Sequence, residues 1–144
     1  MDWKLELLVV PVSDVDRAKK FYTEQLGFAV DVDHQAGPDF RVVQLTPPGS
    51  ACSISIGIGL TTAAPGSYQA THLVVNDIVA ARAQLVEHGV DVSEPFHFTA
   101  QGKQGGLDPN RGKYGTYLTF EDPDGNGWIV QEVPDGAPEP TPPA

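Results

Sequence analysis

The sequence predicts an α+β fold built from two tandem βαβββ modules. The first observation is an internal repeat, in which the segment Val10–Asp33 is similar to the segment Leu73–Pro95. The second is an Asp directly before each predicted helix, Asp14 in one copy and Asp77 in the other. The third is a Gly directly after each predicted helix. One supersecondary unit is therefore used twice along the chain.

The two predicted helices have the same start and stop signals. Asp14 and Asp77 fit the N-cap position, where a short side-chain oxygen accepts hydrogen bonds from backbone N–H groups that have no partner within the helix. Apolar residues follow at helical spacing. Gly27 and Gly89 then fit the position after the helix, where the backbone needs a positive φ.

Strand-like segments of apolar and β-branched residues precede and follow each helix. Turn sequences at Pro47–Gly49 and Asp122–Gly125 come before the last strand of each module. The predicted strands are Leu5–Val12, Phe28–Asp33, Arg41–Thr46 and Cys52–Leu60 in the first module, and Thr71–Val75, Val90–Ser93, Tyr117–Phe120 and Trp128–Val133 in the second.

These elements predict the domain boundaries. The first module takes residues 1–62 and the second takes residues 68–134, with residues 63–67 as the linker between them. Residues 135–144 are rich in proline and contain little that can be buried, so we expect this tail to be disordered.

Composition and charge argue against several classes of partner. The formal net charge of -10 disfavours nucleic acids and anionic membranes, both of which attract basic surfaces. No apolar run reaches the roughly 18 residues of a membrane span. A single cysteine, Cys52, excludes an internal disulfide and a zinc site with several cysteines. We therefore expect a cytoplasmic protein with no nucleic-acid and no membrane partner.

Three short motifs on this framework resemble those of a known superfamily. They are Leu26-Gly27-Phe28, the sequence VNDI at Val75–Ile78, and the sequence DPDGN at Asp122–Asn126. Together with the two modules they resemble the vicinal oxygen chelate superfamily, which includes glyoxalase I, extradiol dioxygenases, fosfomycin-resistance transferases and bleomycin-resistance proteins. The resemblance covers about residues 3 to 134. It implies curled mixed sheets around a cavity and a possible homodimer.

Metal-binding members of that superfamily hold a divalent ion with His, Gln and Glu side chains from four strands. The matching positions in this sequence are Leu7, Ala70, Ile129 and a residue near Gly57, which are all apolar or glycine. The segment from Val42 to Leu60 contains no Asp, Glu or His in any register. We therefore predict the fold of the superfamily without its metal, and no cofactor.

The predicted function is metal-independent binding of a small organic molecule in an apolar cavity. An alternative is a metal-free lyase, isomerase or cyclase in which His72 acts as acid or base, assisted by His97, Tyr114 or Gln131. A metal-dependent glyoxalase-like lyase or dioxygenase, and a relative without any ligand, are the remaining hypotheses. The predicted ligand-binding residues are Leu5, Leu7, Val9, Phe40, Ala70, His72, Ile129 and Gln131.

The long segment 97–115 is rich in glycine and is expected to be either a lid or an unstructured loop. Glu132 is expected to be a solvated charge near the end of the last strand. Several aromatic residues in or beside the predicted strands have two possible roles, as core residues or as a stacking wall for a planar ligand. They are Phe40, Tyr117, Phe120 and Trp128.

Overall fold

Two mixed β-sheets and few helices form the part of the chain that the computed structural model describes, residues 1–139. This architecture confirms the predicted α+β class. The contacts divide the chain into two units. Unit 1 comprises Met1–Gln69 with Asp122–Asn126, and unit 2 comprises Ala70–Glu121 with the residues from Gly127 onward.

The sheet of unit 1 has four strands in the order β1-β4-β3-β2. The first strand is parallel to the fourth, and the other two pairs are antiparallel. The third strand has its predicted bounds, whereas the first and fourth are shorter than predicted. The elements are β1 (Leu7–Val9), α1 (Val15–Lys20), a π-helical segment Phe21–Gln25, β2 (Ala29–Gln35), β3 (Arg41–Thr46) and β4 (Ser53–Ile58).

The helical region of unit 1 begins and ends as the sequence predicts. Asp14 has an extended backbone, and its Oδ1 accepts a hydrogen bond from the backbone N–H of Arg17 at 3.0 Å. Gly27 has φ of 77°, a conformation that costs a residue with a Cβ more than it costs glycine. The helical region buries Phe21 and Tyr22.

The turn Asp122–Asn126 packs with unit 1, although the sequence alone places it in the second module. Tyr22 donates its hydroxyl hydrogen to Asp122 Oδ2 at 2.8 Å. The Asn126 amide donates to the Pro11 carbonyl and to Asp122 Oδ2, both at 2.8 Å. All three bonds are buried, and those of Asp122 to Tyr22 and of Asn126 to Pro11 join residues at least 100 positions apart, so a distant segment completes the core of unit 1.

The sheet of unit 2 has five strands in the order β5-β9-β8-β6-β7. Its first strand is parallel to the last strand of the chain, and the other pairs are antiparallel. The Asp77 side chain caps the helix by accepting from Ala80 N at 3.1 Å, and Gly89 follows it with φ of 80°. The elements are β5 (Thr71–Val75), α2 (Ile78–Glu87), β6 (Phe96–Thr99), β7 (Gly102–Gly105), β8 (Tyr117–Glu121) and β9 (Gly127–Glu132).

One predicted strand of unit 2 is wrong. The segment Val90–Ser93 makes only a single bridge, between Val92 and Phe120, and the neighbour of β8 is instead the β6–β7 hairpin. Pro95 prevents the strand pairing from continuing after the bridge, because proline has no N–H to donate to a strand ladder. The hairpin also gives regular structure to the first part of the segment 97–115, which was expected to be a lid or an unstructured loop, since residues 96–105 are strand and turn. The expectation of an unstructured loop is wrong for this part, and the lid stays a prediction.

Residues 135 and 136 form a turn, and residues 137–139 follow without regular secondary structure. In this segment the Pro138 carbonyl accepts from the backbone N–H of Lys113 at 3.2 Å. The remainder of the predicted disordered tail, residues 140–144, lies outside the described residues. Across residues 1–139, neither helix has the length and apolar character that crossing a membrane requires.

Candidate functional site

The sheet of unit 2 has one buried and one open face. Along β9, every second side chain is buried, whereas Ile129 and Gln131 between them are half-buried. Successive side chains of a strand point to opposite faces, so these two residues share the other face. The strand register places His72 beside Ile129, and Tyr117 beside Gln131. We call the face that carries these four residues the open face of unit 2.

Three aromatic rings form a cluster at the β6 end of the open face. Phe96 stacks on Tyr117 with centroids 5.7 Å apart, and Phe98 meets both rings edge-on at 5.9 Å and 5.5 Å. Lys103 on β7 places its ammonium 4.1 Å from the Phe96 centroid, which is cation–π geometry. Phe96 is buried, but Phe98 is 59% exposed, so the cluster presents a ring to solvent.

His72 lies on the open face with a defined tautomer. Its Nδ1 is 2.6 Å from the Ala70 carbonyl oxygen, and because a carbonyl only accepts, Nδ1 carries the hydrogen. In the neutral ring, Nε2 is then an acceptor. Ala70 itself precedes β5 and has φ of 63°, so it positions the imidazole through its carbonyl rather than continuing the strand.

The other two predicted catalytic residues lie elsewhere in unit 2. His97 is buried in the hairpin, where its Nδ1 donates to the Gly106 carbonyl at 2.9 Å, and it alternates with Phe96 and Phe98. That environment favours a structural role. Tyr114 is 47% exposed and has φ of 59° in the loop between β7 and β8. Neither residue lies in the strand that carries His72.

Tyr114 lines a pocket of about 660 Å³ that the sequence did not reveal. We call it the loop pocket. Its wall is formed by the hairpin, by the loop before β8 and by the segment after β9. The lining residues include Phe98, Asp108, Lys113, Tyr114, Pro138 and Glu139.

An ion pair between the partly exposed Arg111 and the buried Glu132 fixes the loop that forms this pocket. Arg111 donates from Nε and Nη2 to the two carboxylate oxygens of Glu132, at 2.7 Å and 2.5 Å, and the backbone N–H of Ile78 donates to the same carboxylate at 2.9 Å. The expectation that Glu132 is a solvated charge is wrong, because its side chain is fully buried. Burial alone would raise the pKa of Glu132, but the hydrogen bonds from Arg111 and Ile78 lower it below its usual value.

Four of the predicted ligand-binding residues belong to unit 1. Leu7 and Val9 are half-buried neighbours on one face of β1, where they pair with β4. Leu5 precedes that strand and is 66% exposed. Phe40 lies before β3, at the other side of the sheet, with its ring edge against His34 at 6.4 Å. Unit 1 therefore brings Leu7 and Val9 together but keeps Phe40 apart from them.

A family model for the Glyoxalase/Bleomycin resistance protein/Dioxygenase superfamily matches residues 4–130. This chain belongs to that superfamily. The match confirms the resemblance carried by the repeated module and the three short motifs.

Three known proteins are similar to this chain along nearly its whole length. The "Uncharacterized protein YetH" of Bacillus subtilis (strain 168) is 28% identical over 128 residues, which is 87% of this chain and 94% of that protein. TnmS3, an antibiotic binding protein from Streptomyces sp. CB03234, is 31% identical with a TM-score of 0.71, covering 92% of this chain and 97% of that one. A glyoxalase/bleomycin resistance protein from the same Streptomyces is 32% identical with a TM-score of 0.69, covering 90% and 100% of the two chains.

The positions at which the resemblance places the superfamily's metal ligands hold residues that do not fit an ion. Leu7, Ala70 and Ile129 at the matching positions have no donor atom in their side chains. A Cβ added at Gly57 would lie 1.8 Å from the Arg41 carbonyl oxygen, so no ligand side chain fits there at all. Within residues 1–139, no three His, Cys, Asp or Glu side chains are grouped so that they could hold an ion.

Proposed function

We propose that this superfamily member is a metal-independent small-molecule-binding protein whose ligand lies on the open face of unit 2. The observation that carries the proposal is the aromatic cluster. It presents the exposed Phe98 ring, and Tyr117 beneath it, next to the half-buried Ile129 and Gln131. A mainly apolar surface with a few placed polar groups is the usual character of a ligand site.

The geometry favours a planar ligand. The three rings already pack against one another, so little side-chain ordering is required when a further ring stacks on them. An aromatic contact of this kind contributes about 0.5–1.5 kcal/mol beyond the burial of area. Gln131 offers an amide donor and acceptor on the same face, and His72 Nε2 offers an acceptor. We therefore expect a flat, largely apolar molecule with at least one polar substituent that can exchange a hydrogen bond with these side chains.

The comparison with TnmS3 supports the proposal independently of the cluster. That protein is described as an antibiotic binding protein, and it matches 92% of this chain at 31% identity. The superfamily also contains enzymes, so fold alone does not decide between binding and catalysis. The misfit of the metal positions supports binding without the ion.

The proposal is tested with 2-naphthamide, a neutral planar probe, by ligand-observed NMR. We expect Phe98→Ala to weaken binding about tenfold, because it removes the exposed ring of the cluster. Val79→Ala is the matched control, since Val79 is an exposed apolar residue on α2 of the same unit. Chelation with EDTA should leave the affinity unchanged. Equal affinity in Phe98→Ala, or loss of binding in EDTA, would contradict the proposal.

His72 favours a second candidate function, a metal-free lyase, isomerase or cyclase. The hydrogen bond from Nδ1 to Ala70 leaves Nε2 as a potential base on the open face. The test is mass spectrometry of a bound ligand after incubation with native protein and with His72→Ala. We expect the native protein to return the ligand unchanged. A product that native protein forms and His72→Ala does not, at similar affinity, would establish the enzyme instead.

A further inference from the structure

The loop pocket contains an ion pair between its loop and the segment after β9. Lys113 Nζ lies 2.5 Å from Glu139 Oε1, and the backbone N–H of Lys113 donates to the Pro138 carbonyl at 3.2 Å. Both residues line the pocket together with the exposed rings of Phe98 and Tyr114. The wall therefore combines two aromatic surfaces, one ammonium group that Glu139 already occupies, and the carboxylate of Asp108, which accepts hydrogen bonds from backbone N–H groups of the loop.

The loop that carries Lys113 is held in place on both sides. Arg111 is paired with the buried Glu132, and the backbone N–H of Tyr114 donates to the Glu132 carbonyl at 2.8 Å. Asp108 accepts from the backbone N–H of Asn110 at 3.4 Å and of Gly112 at 2.9 Å, so its carboxylate closes the loop from within. The ammonium of Lys113 is thus presented by a fixed element.

We propose that the loop pocket is an anion subsite, and that the ligand of this protein is a planar aromatic carboxylate. Its ring lies against Phe98 and Tyr114, and its carboxylate takes the place of Glu139 on Lys113. The inference rests on the proposed function, because Phe98 belongs both to the aromatic cluster and to this pocket. The inference adds the chemical class of the ligand, and it identifies Glu139 as the group that competes with the ligand for Lys113.

Burial decides that the incoming group is an anion rather than a cation. An anion displaces Glu139, whose side chain is 77% exposed, whereas a cation would have to displace Lys113, whose side chain is 30% exposed on the fixed loop. Releasing Glu139 costs little, since an exposed ion pair shifts an equilibrium by no more than about fivefold. The formal net charge of -10 opposes the binding of an anion only weakly, because salt screens the charges that lie more than about 8–10 Å from the pocket.

The experiment compares 2-naphthoate with 2-naphthamide, which have the same ring system and differ in charge. We expect Lys113→Met to lower the affinity for naphthoate about tenfold, because its carboxylate pairs with the ammonium. The affinity for naphthamide should fall by less than about twofold, because the neutral amide forms no ion pair. We expect Glu139→Gln to raise the affinity for naphthoate about two- to fivefold, since the side chain at position 139 no longer competes for Lys113 with a negative charge. Lys4→Met and Glu87→Gln are exposed controls that change net charge equally.

The outcomes separate this inference from the proposed function. Naphthamide binding that depends on Phe98, with naphthoate no tighter and insensitive to Lys113→Met, would overturn the anion subsite and leave the proposed function standing. Equal losses of naphthoate affinity in Lys113→Met and Lys4→Met would also overturn the anion subsite, because they would reflect the change of net charge alone. No binding of either probe would overturn both.

Discussion

Glu132 is the residue whose environment departs furthest from its sequence context. It stands near the end of the last strand, yet it is fully buried and accepts hydrogen bonds from Arg111 and from the first turn of α2. A buried carboxylate of this kind stabilises a fold only while its partners are present. The residue therefore links the helix, the last strand and the loop of unit 2 through one side chain.

Replacing Glu132 by Gln should lower the free energy of unfolding by about 1.5–3 kcal/mol, the usual worth of hydrogen bonds to a charged group. Urea denaturation at neutral pH measures this. Glu121→Gln is the control, because Glu121 is an exposed strand residue, and its effect should stay within about 0.5 kcal/mol. Equal small effects in the two variants would mean that the ion pair contributes nothing to stability.

The pH dependence of stability gives the same residue a second test. The hydrogen bonds hold the pKa of Glu132 below its unfolded value of about 4.3. A carboxyl with a lowered folded pKa contributes stability that is complete above the unfolded value and is lost as pH falls through the folded value. Unfolding measured from pH 6 down to about pH 3 should therefore show a shallower loss in Glu132→Gln than in the native protein.

At the scale of elements, Gly57 determines how β4 pairs with β3. An added Cβ would lie 1.8 Å from the Arg41 carbonyl oxygen and 2.7 Å from Leu60. Gly57→Ala should therefore destabilise the protein by about 3 kcal/mol or more, because a neighbouring strand backbone must move. Gly105→Ala is the matched control in β7, where a Cβ would meet nothing within 4 Å. Thermal unfolding of the two variants compares them, and equal melting temperatures would contradict this account.

The elements that the sequence predicted well are those with local signals. Asp14, Asp77, Gly27 and Gly89 mark helix ends through bonds and dihedral angles that span only a few residues. The β6–β7 hairpin was missed because each of its strands has only four residues and because β7 is half glycine, a residue depleted in strands. Segments this short show too few alternations for a period of two to be recognised.

At the scale of the whole molecule, the repeat and the three short motifs predicted the superfamily and the α+β class. Strand alternation, which is a local rule, placed Ile129 and Gln131 on one face, and the strand register adds His72 beside Ile129. The loop pocket could not be predicted. It brings together Phe98 and Glu139 from distant parts of the chain, and no spacing in the sequence indicates that they line one pocket.

The turn Asp122–Asn126 means that the first half of the chain is not self-sufficient. Unit 1 runs from Met1 to Gln69 but also includes this turn, which comes from the far end of the sequence. A fragment that ended at Gln69 would leave Tyr22 and Pro11 without their buried hydrogen bonds to Asp122 and Asn126. The first half of the chain therefore obtains part of its buried hydrogen bonding from residues that are synthesised about fifty positions later.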